Sequence, residues 1–149
     1  MAHRIVIGCS LLFIACAGLA TGKEIDQVAG NLITFNTNGA WSWYQDERVI
    51  VDKTAGKLLM SSAADVSGTD GASRNGDIDV VSYDLASGVT NRFVLHAALG
   101  ADDHDAAALL ERPDGRYLAM YARHNVDKIS RYRISTNPHD ATSWGPEQT

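Results

Sequence analysis

Two histidines carry the first chemical signal in this sequence. His104 and His124 stand 20 residues apart, on either side of Pro113-Asp114-Gly115, in the stretch ADDHDAAALLERPDGRYLAMYARH. Pro-Asp-Gly suits a three-residue hairpin loop with Gly115 in the left-handed conformation that forms a bulge. Such a loop pairs Arg112 with Arg116, and counting outward from that pair sets His104 opposite His124 on one face of the ladder. Two imidazoliums side by side repel, so near neutral pH one ring of such a pair is neutral and basic, a candidate general acid or base. Asp102 and Asp103 adjoin them. The same register sets Asp105 against Arg123 on the other face as an ion pair. Two other readings stay open: ordinary polar side chains at a strand end, or metal ligands. No third ligand has a compelling spacing, and neither a metal nor another cofactor is expected.

His104 begins one strand and His124 ends the next, so both belong at the end opposite the turn. That end also receives the loop Ser62 to Gly76, the connection His96 to Asp103 and the loop Asn125 to Lys128. Gln45 aligns with His104 at an offset of 59 residues, which brings Trp43, Tyr44 and Gln45 toward the same rim. Arg74 and Asn75 sit in the Gly/Ser-rich loop above it. The expected site is therefore catalytic His104 and His124, with Trp43, Tyr44, Gln45, Arg74, Asn75 and Asp103 binding substrate. Aromatics, amides and an arginine on one rim suit a carbohydrate. Taken singly, Trp41 and Trp43 also read as packing residues and Arg74 as a solvated one.

The elements that must hold this rim are strands. RVIVDK (48–53) turns at Thr54-Ala55-Gly56 into KLLMSSA (57–63); DIDVVSYDL (77–85) turns at Ala86-Ser87-Gly88 into NRFVLHA (91–97). The pattern then restarts with DAAALLER (105–112), RYLAMYAR (116–123), KISRYRIS (128–135) and the terminal TSWGPEQT. No stretch after residue 23 shows helical apolar spacing, so the fold class is all-β. Gly56-Lys57 and Gly115-Arg116 recur 59 residues apart, and VVSYDLASG and ISRYRISTN recur 49 apart. Two units of four antiparallel strands at that period read as β-propeller blades, about 45–97 and 104–149, within a partial propeller spanning 23–149. The ending NPHDATSWGP resembles a degenerate Asp-box turn closing on Trp144. An immunoglobulin-like sandwich leaves the repeat unexplained. Propellers typically need about four to eight blades, so the chain reads as an N-terminal fragment, inactive and poorly soluble alone.

Residues 1–22 read as a secretory signal peptide, with Arg4 ahead of the apolar run Ile5 to Ala20 and cleavage after Ala20 or Gly22. The run is shorter than the ~20 residues of a spanning helix. Both cysteines, Cys9 and Cys16, fall in this segment, so the mature chain has no disulfide. Removing Arg4 takes the formal charge from −5 to −6, a balance that argues against nucleic acid as a partner. An anionic substrate held by local arginines stays compatible with it.

The segments NGAWSWYQDERVIVD, GDIDVVSYDL, ADDHDAAALLERPDGRYLAMYARH and NPHDATSWGPEQT resemble the BNR-repeat-containing family that includes the ulvan lyase-like β-propellers. The resemblance spans roughly Asn38 to Thr149, and the histidine hairpin is its most specific part. Ala107 departs from it, standing where proline is expected. The resemblance implies a secreted seven-bladed propeller that degrades acidic polysaccharides by β-elimination, with His104 and His124 at the cleft. It also implies a tyrosine and an arginine from later blades, which no residue here can be assigned to.

Two rival functions stand beside this one. A sialidase-like glycoside hydrolase fits the Asp-box ending but needs a carboxylate pair, or an arginine triad and a tyrosine, that no spacing singles out. A non-catalytic carbohydrate-binding propeller needs only the rim.

Overall fold

The strands lie where the sequence pattern placed them: β-branched, aromatic and apolar runs between turn residues, continuous and buried in Ile78–Asp84 and alternating between the two faces in Tyr117–Ala122. A computed structural model of the chain describes residues 32–42 and 49–149; the leader expected at 1–22 lies outside the described residues. The first sheet is an antiparallel meander of β1 (Val49–Asp52), β2 (Lys57–Ala63), β3 (Ile78–Asp84) and β4 (Thr90–His96). The second is a meander of β5 (Ala108–Glu111), β6 (Tyr117–Ala122) and β7 (Ser130–Ile134). The fourth strand expected in the second unit is reduced to isolated bridges, Ser135 with Trp144 and Tyr132 with Gln148. The regular structure of the described residues is thus nearly all β. Helix is confined to α1 (Gly71–Arg74), inside what the sequence suggested was plain loop, and a 3-10 turn at Asp103–Asp105. No described helix is long and apolar enough to cross a membrane.

The period of two decides which residues meet between the sheets. Leu59 on β2 and Val80 on β3 are buried with Leu95 on β4 against Leu109, Tyr117, Ala119 and Tyr121 of the second sheet. A fully buried aliphatic side chain of this kind contributes about 1.5–3 kcal/mol. Ser61 bridges the two sheets: its hydroxyl donates to the Asp79 carbonyl and accepts the Ala107 amide. The Asp-box-like ending folds into a tight turn. Asp140 Oδ1 accepts from the Thr142 amide and hydroxyl, and Trp144 Nε1 donates to the Ala141 carbonyl, which seats the indole in the core.

The β5–β6 hairpin keeps the expected register. Gly115 has φ +75° and donates its amide to Arg112, which pairs with Arg116. Asp114 sits between the two guanidiniums; the Arg116 hydrogen bonds, followed by its amide and Arg112, hold its carboxyl down at about 2. The ladder runs from Glu111–Tyr117 to Ala108–Met120 and stops there. His104 therefore does not begin a strand, as the sequence pattern had it. Asp102 Oδ1 accepts the His104 amide at 3.0 Å and the Asp102 carbonyl accepts the Asp105 amide at 3.1 Å. This local side-chain bond outcompetes the ladder and winds residues 103–105 into the turn.

Candidate functional site

The 3-10 turn and the far end of β6 bring the histidines together. The His104 and His124 rings stack with centroids 4.3 Å apart and planes 28° from parallel. Asp102 joins them, with Oδ1 lying 2.7 Å from His104 Nδ1 and Oδ2 lying 3.0 Å from His124 Nδ1. Asp103 Oδ1 lies 2.8 Å from the same His104 nitrogen. Asn125 Nδ2 is 2.9 Å from His124 Nε2. These contacts are satisfied together when each ring carries its proton on Nδ1 and His124 Nε2 accepts from the Asn125 amide. The His104 amide, acting ahead of the opposing effect of burial and then with His124, holds the Asp102 carboxyl below its usual range. Asp102 thus stays an anion that orients both imidazoles.

Behind the pair lies Asp105, 1% exposed. Its Oδ1 accepts the His124 backbone amide at 2.7 Å instead of meeting the Arg123 guanidinium that the strand register suggested. The reason is the turn, which lifts Asp105 out of the ladder. Burial pushes its carboxyl above the usual range, with the His124 amide opposing and the Asp102 charge adding.

The other expected rim residues are placed as follows. Trp43, Tyr44 and Gln45 lie outside the described residues. Asp103 joins the histidine pair. Arg74 does not reach it in any contact: it is 8% exposed, and its Nη2 donates to Asp79 Oδ2 at 2.6 Å, to Asn36 Oδ1 and to the Asn38 carbonyl. Asp79 is fully buried and takes Arg92 on its other oxygen. Asn75 caps α1 and is exposed.

Among the described residues, two groups of side chains have ligand atoms close enough to hold a cation: Asp102 with His104 and His124, and Asp52 with Glu111 and His139. In the first, both Nδ1 atoms are already engaged by the Asp102 carboxylate, so a cation there would have to displace those contacts. In the second, Asp52 is already engaged. It is fully buried, Tyr117 Oη donates to its Oδ2 at 2.5 Å and His139 Nδ1 lies 2.7 Å from the same oxygen. This group sits by the hairpin turns and ties the two sheets together.

Sequence reasoning passed over the orienting role of Asp102, gave Asp105 to Arg123 instead of to His124, and named Asn125 only as the start of a rim loop. Aspartate two residues before His104 is a turn-capping pattern and was the available signal. It also passed over His96, whose Nδ1 lies 2.5 Å from Glu147 Oε2, while Tyr121 Oη donates to that oxygen at 2.7 Å. His96, Glu147 and Arg133 line a cleft of about 370 Å³. Glu147 is 51 residues from His96 in sequence, and no local pattern links them. Neither a scan of the chain against protein-family models nor a search of the curated proteins returns a match.

Proposed function

We propose that the histidine pair is the acid–base centre of a secreted polysaccharide lyase that cleaves an acidic, uronate-containing chain by β-elimination. The observation that carries the reading is the stacked pair itself, 4.3 Å apart and oriented through both Nδ1 atoms by one carboxylate. A carboxylate that holds Nδ1–H makes Nε2 the basic atom of the ring, and positioned acid–base groups typically contribute about 10²–10⁴-fold. In the reaction an imidazole takes the proton from C5 of the uronate. The electron pair forms the C4–C5 double bond, the C4–O4 bond breaks, and an acid returns a proton to O4. The developing enolate needs its carboxylate charge offset by a cationic or hydrogen-bond donor. The two successive antiparallel meanders, packed face to face, are compatible with neighbouring propeller blades, and the expected leader 1–22 with export.

The test is the product formed from uronate polysaccharides, sulfated and unsulfated, by the longest native form of the protein. Ultraviolet absorbance from an unsaturated uronate, lost in His104→Ala and His124→Ala, supports the lyase. Saturated ends indicate a hydrolase, and retention on the polymer without cleavage indicates a binding propeller. Unchanged absorbance growth in both variants removes the histidine pair from the chemistry.

A further inference from the structure

We propose that Asp105 is the positioning residue of the histidine pair: its buried carboxylate replaces the missing strand partner of His124 and sets where the two imidazoles meet. The β5–β6 ladder ends at Ala108–Met120, and β6 itself ends at Ala122. His124 lies beyond both, so no strand carbonyl of β5 can hold its amide. Asp105 Oδ1 does so at 2.7 Å, from within the turn that also carries His104 and is capped by Asp102. One short segment therefore fixes one ring through its own backbone and the other ring through a carboxylate.

Two further observations point to position rather than simple packing. Asp105 Oδ2 is buried with no hydrogen-bond partner, an arrangement that burial alone disfavours and that functional sites tolerate. Room for that oxygen comes from Gly100: a Cβ there would lie 2.6 Å from Oδ2, with Arg123 Nε at 3.7 Å. The carboxylate is thus held between the Gly100 backbone and the His124 amide. The proposal rests on the pair being the working centre, but its geometry can be read without turnover.

The experiment records ring-to-ring nuclear Overhauser contacts and imidazole ¹⁵N shifts of His104 and His124 in the wild type and three variants. Asp105→Asn keeps an oxygen facing the His124 amide, so both signatures persist. Asp105→Ala removes the acceptor and Gly100→Ala displaces it from the other side. Both abolish the ring contact while the Tyr117 and Trp144 ring signals stay native. If the wild type turns over a uronate polysaccharide, Asp105→Ala lowers kcat about 10²-fold, the cost of a displacement near 1 Å, and Asp105→Asn restores it. An undiminished ring contact in Asp105→Ala overturns the proposal. So does collapse of the Tyr117 and Trp144 signals together with the ring contact, which would make Asp105 a folding residue. Loss of the ring contact with no turnover of uronate polysaccharides by the longest native form of the protein upholds Asp105 and overturns the lyase reading instead.

Discussion

Asp102 divides its two oxygens between two rings: Oδ1 faces His104 Nδ1 and Oδ2 faces His124 Nδ1. One carboxylate therefore bears on the tautomer of both imidazoles, with Asp103 Oδ1 beside it at His104 Nδ1. The rings stack because their Nδ1 atoms are drawn to neighbouring points, and the turn that Asp102 caps delivers His104 to that place.

Asp102→Asn keeps the shape and halves the acceptors. One ring then faces an amide N–H, so its proton moves to Nε2 and its basicity toward substrate is lost. The expected outcome is a ¹⁵N tautomer change at one histidine and a fall in turnover of about 10²-fold or more. Equal tautomers and equal rates in the variant would show that Asp102 does not orient the pair.

Acid should weaken the link between the sheets. Burial raises the Asp52 carboxyl, but the Tyr117 hydroxyl, the Ala55 amide and His139 together outweigh it and leave it lowered. A carboxyl lowered on folding stabilises the protein fully above its ordinary value of about 3.9, and loses that contribution as pH falls through the depressed value. Tyr117→Phe removes a donor from this buried oxygen and should cost about 1–3 kcal/mol at pH 7. The difference from wild type narrows in strong acid, as urea melts at the two pH values will show. Asp105 has the opposite sign. Its carboxyl is raised, so Asp105→Asn should stabilise the fold at pH 7 by a margin that shrinks as pH falls through the raised value.

Arg74 offers a test of structure against binding. Arg74→Met leaves fully buried Asp79 with Arg92, whose side chain is 39% exposed, as its charged partner and with the Asn36 amide on Oδ2. Breaking a buried pair in this way costs about 3–5 kcal/mol, whereas Asn75→Ala on the exposed neighbour should stay within about 0.5 kcal/mol. Thermal melts separate the two. A native-like melting temperature for Arg74→Met, with weakened polysaccharide retention, would return Arg74 to the substrate site.

Gly115→Ala strains the hairpin that orders the site. At φ +75° an L side chain costs about 1–2 kcal/mol, and the new Cβ would lie 2.8 Å from His139 Nε2. Equilibrium unfolding should show at least that loss, together with a shift of the His139 ring signal.

Much of this arrangement could be read before any coordinates. The β-branched and apolar run of DIDVVSYDL and the alternation in RYLAMYAR mark strands, the second because a pleated backbone sends successive side chains to opposite faces. Pro113-Asp114-Gly115 determines the β5–β6 register because loop length constrains the few residues on either side. That local constraint carries the register only as far as Ala108–Met120; His104 and His124 lie beyond it and meet across a capped 3-10 turn where paired strand ends were expected.

What the chain alone could not disclose is every relationship between residues whose separation no turn controls. Arg74 reads as a loop residue until Asn36, Asn38, Asp79 and Arg92 converge on one buried ion cluster. Asp52, Tyr117 and His139 come from three separate segments, and His96 meets Glu147 across the two sheets. Backbone geometry acts over a few residues and so leaves its mark in the sequence. Packing of one sheet on another acts through space, and only the folded chain decides which polar groups it leaves face to face.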